Sequence, residues 1–161
     1  MSSLRVESGR WPATMPTAPR RLEPGAASPV LRVGPITPTL IVRYAGAGGD
    51  FNPIHHDESF ARAAGMPGIF SMGMLQAGLL GTLVSRWLGV GNVRTFSVRF
   101  TGQVWPGDEL TLRGAVESVD RSGEESLATC DLVVARGDEV VVSGRATVVA
   151  AAHDEQTNEE L

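Results

Sequence analysis

Asp50 and His55 stand five residues apart in the run Tyr44-Ala45-Gly46-Ala47-Gly48-Gly49-Asp50-Phe51-Asn52-Pro53-Ile54-His55-His56-Asp57. A carboxylate and an imidazole are the usual pair for moving protons near neutral pH. Pro53 lies between them and restricts the backbone, so the spacing is held without a regular helix or strand. Gly48 and Gly49 permit a tight path into the loop, and Asn52 supplies an amide able to hold the loop or a ligand. An ordinary turn uses the same residue types, so these residues alone leave a plain turn open beside a proton-transfer site. Other chemistries fit less well. His55, His56 and Asp57 suggest a metal, but adjacent histidines diverge and His153 is far along the chain, short of the three or four convergent ligands a metal needs. No metal is expected. Ser71 lacks the Gly-x-Ser-x-Gly elbow of a nucleophile and reads as a helix cap, with a ligand contact as a second role. Cys130, the only cysteine, lies in an alternating run and reads as a buried thiol.

Every fixed position of a Gly-Asp-x-Asn-Pro-x-His core is present from Gly49 to His55, with Tyr44 before it and Ala61 after it. In this the chain resembles the MaoC-like (R)-specific enoyl-CoA hydratases, a family of hot-dog-fold proteins. The resemblance continues through Gly65-Met66-Pro67-Gly68-Ile69-Phe70-Ser71-Met72-Gly73-Met74-Leu75, which is similar to the family's entry into its central helix. It goes on through Phe96-Ser97-Val98-Arg99-Phe100 and Val104-Trp105-Pro106-Gly107-Asp108-Glu109-Leu110, similar to a family strand and its Pro-Gly-Asp turn. The matched region runs from Gly34 to Val149. One position departs: Met72 stands where the family commonly has His, which puts substrate preference or rate in question more than activity.

The resemblance implies roles. Asp50 and His55 match the catalytic pair, Asn52 the asparagine that arranges the site, and Gly73 the residue whose backbone amide meets the thioester oxygen. It implies reversible syn addition of water to a trans-2-enoyl thioester, giving the (R)-3-hydroxyacyl thioester, with no metal or redox cofactor. Coenzyme A or an acyl carrier protein would carry the acyl group. It also implies a homodimer or heterodimer of hot-dog units. The chemistry asks for the same parts. Water must be held and deprotonated, a proton must reach C2, and the thioester oxygen needs preset donors. The first amides of a buried helix lack intrahelical partners and carry the positive end of the dipole. Ser71-Met72-Gly73 is such a start. Phe51, Phe70, Ser71, Met72 and Trp105 are candidates to line an acyl channel, whereas Trp87 reads as core. Arg99, Arg113 and Arg145 are candidates for carrier phosphates, with solvated strand-face charge as the default reading.

The elements around these residues follow from pattern. Residues 36–46 read as a first strand with Leu40, Val42 and Tyr44 on one face. Residues 50–70 read as an irregular crossing segment, in which Asp57 caps a short helix that Gly65 and Pro67 stop. Residues 71–88 read as a long helix, apolar nearly all round and so buried on most sides, with Ser71 as N-cap and Gly89 as stop. Gly78 and Gly81 read as close packing against the sheet. Four period-two runs follow, carrying Phe96, Val98 and Phe100; Leu110, Leu112 and Val116; Ala128, Cys130, Leu132 and Val134; and Val140, Val142, Ala146 and Val148. Pro106-Gly107, Gly123 and Gly137-Asp138 separate them, as in antiparallel hairpins. Pattern therefore gives an α+β fold. The resemblance makes it the hot-dog fold, a curved antiparallel sheet wrapped around one long central helix.

Composition sets outer bounds. The chain has 161 residues, 42% hydrophobic and 20% charged, as for one globular domain. Net charge is −4 and the isoelectric point about 5.3, which speaks against a general nucleic-acid surface. No segment reads as a membrane span, and no signal-peptide core is apparent. A single cysteine fits a reducing compartment, and a cytoplasmic location is expected. Residues 1–33, with prolines at 12, 16, 19, 24 and 29, read as a flexible or loosely docked arm, 34–150 as the MaoC-like domain, and 151–161 as a polar tail. Two other functions compete: a hot-dog thioester hydrolase, and a supporting subunit without activity of its own. The complete Asp50–His55 motif disfavours both.

Overall fold

The computed structural model describes residues 14–152. Five strands form one sheet: β1 (Leu31–Val33), β2 (Val93–Phe100), β3 (Leu110–Asp120), β4 (Leu127–Arg136) and β5 (Glu139–Val149). They are antiparallel in the order β1-β3-β4-β5-β2. The helices are α1 (Pro38–Gly48), α2 (Glu58–Ala63) and α3 (Gly73–Leu88). α3 packs across β2, β3, β4 and β5, the α+β hot-dog arrangement that the resemblance implies.

Alternation builds the core. Leu110, Leu112 and Val116 of β3, Ala128, Cys130, Leu132 and Val134 of β4, and Val142, Ala146 and Val148 of β5 are buried against Leu80, Leu83, Val84 and Trp87 of α3. Burial pushes the Cys130 thiol up to about 11, so it is a neutral core side chain at ordinary pH. Trp87 is core, as expected. Val140 departs from its expected face: a register shift between Val134 and Ala135 lets Val141 and Val142 both be buried and leaves Val140 exposed.

Three expectations need correction. Residues 36–46 are mostly helix, not strand. Thr37 caps the amide of Leu40, Pro38 occupies the first turn, and Ile41 and Ala45, four apart, are the buried pair. Leu40 and Tyr44, four apart, share one half-buried side of this helix, whereas Val42 lies on the opposite side and is exposed. The first strand lies earlier, inside the supposed arm. β1 pairs with β3, Leu22, Leu31 and Val33 are buried, and Ser28 donates and accepts around the Gly114 backbone. Arg20 reaches the Trp87 carbonyl and Arg121 the Leu22 carbonyl. The prolines interrupt regular structure there without preventing docking, so the domain begins before residue 34. Residues 1–13 of the arm and 153–161 of the tail, with His153, lie outside the described residues. Finally, α3 is buried on most sides as expected, with one exposed stripe, Met74, Gly78, Thr82 and Arg86, along it, but its glycines do not read as expected. A Cβ on Gly81 would meet nothing and one on Gly78 only the Tyr44 ring, so close packing against the sheet does not explain these glycines.

Candidate active site

Asp50 is set by the end of α1. Gly49, at φ 70° in the left-handed region that favours glycine, and Asp50 both donate backbone N–H groups to the Ala45 carbonyl. The next residues form a short 3-10 turn, Pro53–His55, capped by Asn52, whose Oδ1 accepts from the Ile54 amide at 3.1 Å. Asn52 therefore holds the loop and does not face the cavity. Asp57 then caps α2 through the amides of Ser59 and Phe60.

This local turn presents His55 to the interior, 7% exposed. Its Nδ1 lies 2.7 Å from the Phe70 carbonyl oxygen. A carbonyl only accepts, so Nδ1 carries the proton and the neutral ring keeps its lone pair on Nε2. Nε2 is 3.6 Å from Asp50 Oδ2, too far for a direct hydrogen bond and suited to sharing a water. The Phe70 ring stands edge-on to His55 at 5.1 Å and 81°, and Trp105 stands against Phe70 in turn at 5.6 Å. His56 is exposed, and among the described residues its ring makes only a long contact with the Phe51 carbonyl.

Asp50 and His55 open on a cavity of about 480 Å³. The start of α3 forms its floor with Ser71, Met72, Gly73 and Gln76, and its far wall is Phe100, Thr101, Gly102, Gln103 and Val104, where the chain leaves β2. Gly73 is the first residue of α3, so its N–H has no partner within the helix. Met72, not Ser71, is the N-cap, without a side-chain cap bond. Ser71 is buried, and its amide donates to the Val104 carbonyl at 2.8 Å. Salt bridges brace the far wall from behind. Asp108 accepts from the Trp105 amide and from Arg136, which also donates to the Gln103 carbonyl. The hydrogen bonds that Arg136 donates to Glu139 and Asp108 raise its pKa further.

Of the expected site residues, the structure brings together Asp50, His55, Phe70, Ser71, Met72 and Gly73. Phe51 is 68% exposed and faces away from the cavity. Trp105 is shielded by Phe70 and is not in the lining. Gln76, Phe100 and Gln103 were missed. A polar residue within an apolar helix was the available signal for Gln76; nothing local marked the other two. Arg145 is engaged by Glu117 and Asp131, whose contacts raise its pKa, the Asp131 hydrogen bond foremost. Arg99 and Arg113 make no ion pair among the described residues and do not line the cavity. Among the described residues, no three His, Cys, Asp or Glu side chains are grouped to hold a metal, and no helix is long and apolar enough to cross a membrane.

Comparison with known proteins gives a consistent set of relatives. The chain is 38% identical over 92 residues to the fatty acid synthase beta subunit TOXC of Cochliobolus carbonum, covering 53% of this chain and 4% of that protein. It is 31% identical over 141 residues to the enoyl-CoA hydratase ChsH3 of Mycobacterium tuberculosis, covering 84% of this chain and 44% of that one. The chain thus spans less than half the length of these curated relatives. Among solved structures, the (R)-hydratase from A. caviae involved in PHA biosynthesis superposes with a TM-score of 0.71 at 28% identity, over 81% of this chain and 98% of that one. A chain of the ChsH1–ChsH2 complex from Mycobacterium tuberculosis does so with a TM-score of 0.70 at 27% identity, over 80% and 98%. The model of the MaoC-like domain, the MaoC dehydratase family, matches residues 25–144. With the sheet, the helix and the Asp50–His55 cavity in place, the chain belongs to the MaoC-like dehydratase domain family, with the hot-dog fold.

Proposed function

We propose that the chain catalyses the reversible hydration of trans-2-enoyl thioesters to (R)-3-hydroxyacyl thioesters. The observation that carries this reading is the 3.6 Å separation of His55 Nε2 and Asp50 Oδ2 at one end of a cavity floored by the start of α3. A water between the two groups is positioned for attack on C3. The pair takes one proton from that water as its oxygen bonds to C3, and returns one proton to C2. The π electrons of the alkene pass through C2 to the thioester oxygen in the intermediate state and return when C2 is protonated. The negative charge on that oxygen needs a fixed donor, and the Gly73 amide, without a partner inside the helix and at the positive end of α3, is suited to it. Dehydration is the same path reversed. Coenzyme A or an acyl carrier protein presents the acyl group, and the reaction uses no metal or redox cofactor.

The working unit is a dimer of hot-dog chains, identical or different. β2 is an edge strand, exposed on both faces, with Phe96 and Phe100 towards solvent. An open, apolar edge of this length invites pairing, and a chain of similar fold stands in the ChsH1–ChsH2 complex.

The test is loss of the conjugated enoyl-thioester absorbance across an acyl-chain series, with free thiol measured in parallel. Absorbance loss without thiol release, yielding the (R)-alcohol, is the expected result. Thiol release from a saturated acyl thioester would make the chain a hydrolase instead. No consumption of any substrate, alone or with a second hot-dog chain, would make it a supporting subunit.

A further inference from the structure

Gln76 is the single polar residue among the buried positions of α3 and is 2% exposed. A buried amide is tolerated only where its donors and acceptor are satisfied. Chemistry therefore sets its orientation. With Nε2 towards the Met72 and Gly73 carbonyl oxygens, at 2.6 and 3.0 Å, and Oε1 receiving Ser71 Oγ at 3.0 Å, each polar atom meets its complement. Reversed, oxygen faces oxygen.

The partner that matters is the Met72 carbonyl. It and the Gly73 N–H are the two ends of one planar peptide unit. A donor on the oxygen fixes the plane of that unit and polarises the N–H at its far end. Ser71 holds the other side of the arrangement, because its own amide is tied to the Val104 carbonyl at 2.8 Å. A continuous set of bonds thus runs from the far wall through Ser71 and Gln76 to the peptide whose N–H lies at the floor of the cavity.

We propose that Gln76 is a positioning residue: by donating to the Met72 carbonyl it aims the Gly73 amide at the thioester oxygen and strengthens it as a donor. This rests on the role given to Gly73 above. Gln76 acts on the charge that develops during reaction, so it bears on turnover more than on substrate affinity.

The experiment compares the full chain with Gln76→Met, which keeps the length of the side chain and removes its donors. Two quantities are read on folded protein: kcat and KM on an enoyl thioester, and the 15N–1H resonance of the Gly73 amide without substrate. kcat should fall about tenfold, short of the roughly 10²–10³-fold lost when a donor is removed outright. KM should stay within about twofold, as for an interaction made in the transition state. The Gly73 15N resonance should move upfield while amides of β3 and β4 hold their positions. An unchanged kcat, an unmoved Gly73 resonance, or a raised KM with kcat preserved would overturn the proposal. If Gln76→Met does not fold, Gln76→Glu keeps the volume, removes the paired donors and reads the same quantities. If the parent hydrates no enoyl thioester, the functional reading fails by itself. The Gly73 resonance still decides whether Gln76 governs that amide.

Discussion

The two walls of the cavity are built differently. The near wall, from Asp50 to His55, is polar and shaped by bonds within a few residues, the α1 cap at Gly49 and the Asn52 cap on the Ile54 amide, with the His55 Nδ1–Phe70 bond tying it to the segment before α3. The far wall, from Phe100 to Val104, continues an edge strand. Its brace, Asp108 with Arg136, comes from a distant hairpin, and its Phe100 ring is 48% exposed. A wall fixed locally keeps its geometry whatever docks beside it, which is what proton transfer needs. A wall at an open edge can be completed by a partner and can vary with substrate. In the proposed hydration, chemistry would fall to the one side and acyl-chain fit and assembly to the other.

The near wall breaks with the largest effect. Asp50→Asn and His55→Gln should each lower kcat about 100-fold or more, since positioned proton transfer contributes about 10²–10⁴-fold. His56→Ala, on the same loop but outside the cavity, should leave kcat nearly unchanged in the same assay. Gly73→Val acts where the walls meet, because a Cβ there would lie 2.9 Å from Phe100 Cε1. Turnover should fall about tenfold or more, because the added side chain obstructs approach of the thioester oxygen to the residue-73 amide, while the melting temperature changes little. Adding Phe100→Ala removes the clash, so recovery of full turnover in the double variant would make Gly73 a packing residue only. Phe96→Asp puts a charge on the edge without touching the cavity. Light scattering should then give a lighter species at working concentration, as for loss of an interface residue worth about 2 kcal/mol. A dimer that survives it unchanged would place assembly elsewhere. Leu22→Ala, remote from both walls, should leave kcat intact but lower unfolding stability by about 2–5 kcal/mol, as read by denaturant titration. Loss of much less would mean that the docked arm contributes little.

The contrast between the walls also explains what could be read from sequence. Asp50, Asn52 and His55 form a contiguous motif whose contacts are local, so residue order carried them. β3, β4 and β5 showed as period-two runs because each has one face in the core. α1 was hidden because Leu40, Val42 and Tyr44 alternate as in a strand, although Ile41 and Ala45, the pair buried in the helix, also stand four apart. β1 was hidden among prolines because a strand of three residues, Leu31–Val33, is too short to show alternation. Phe100 and Gln103 join the cavity only because β2 pairs with β5 and ends beside α3, a long-range fact with no local trace. Trp105 and Phe51 went the other way: aromatic residues near the motif, they belong to the shell behind Phe70 and to the surface.

A double-mutant cycle on Asp50 and His55 tests the central claim most directly. If the pair works as a unit on one water, kcat of Asp50→Asn/His55→Gln should lie close to that of the more damaged single variant, because the second change removes little that remains. All four proteins should melt alike. Losses that multiply would mean that the two groups act independently. Near-parental turnover in either folded single variant would contradict the assignment itself.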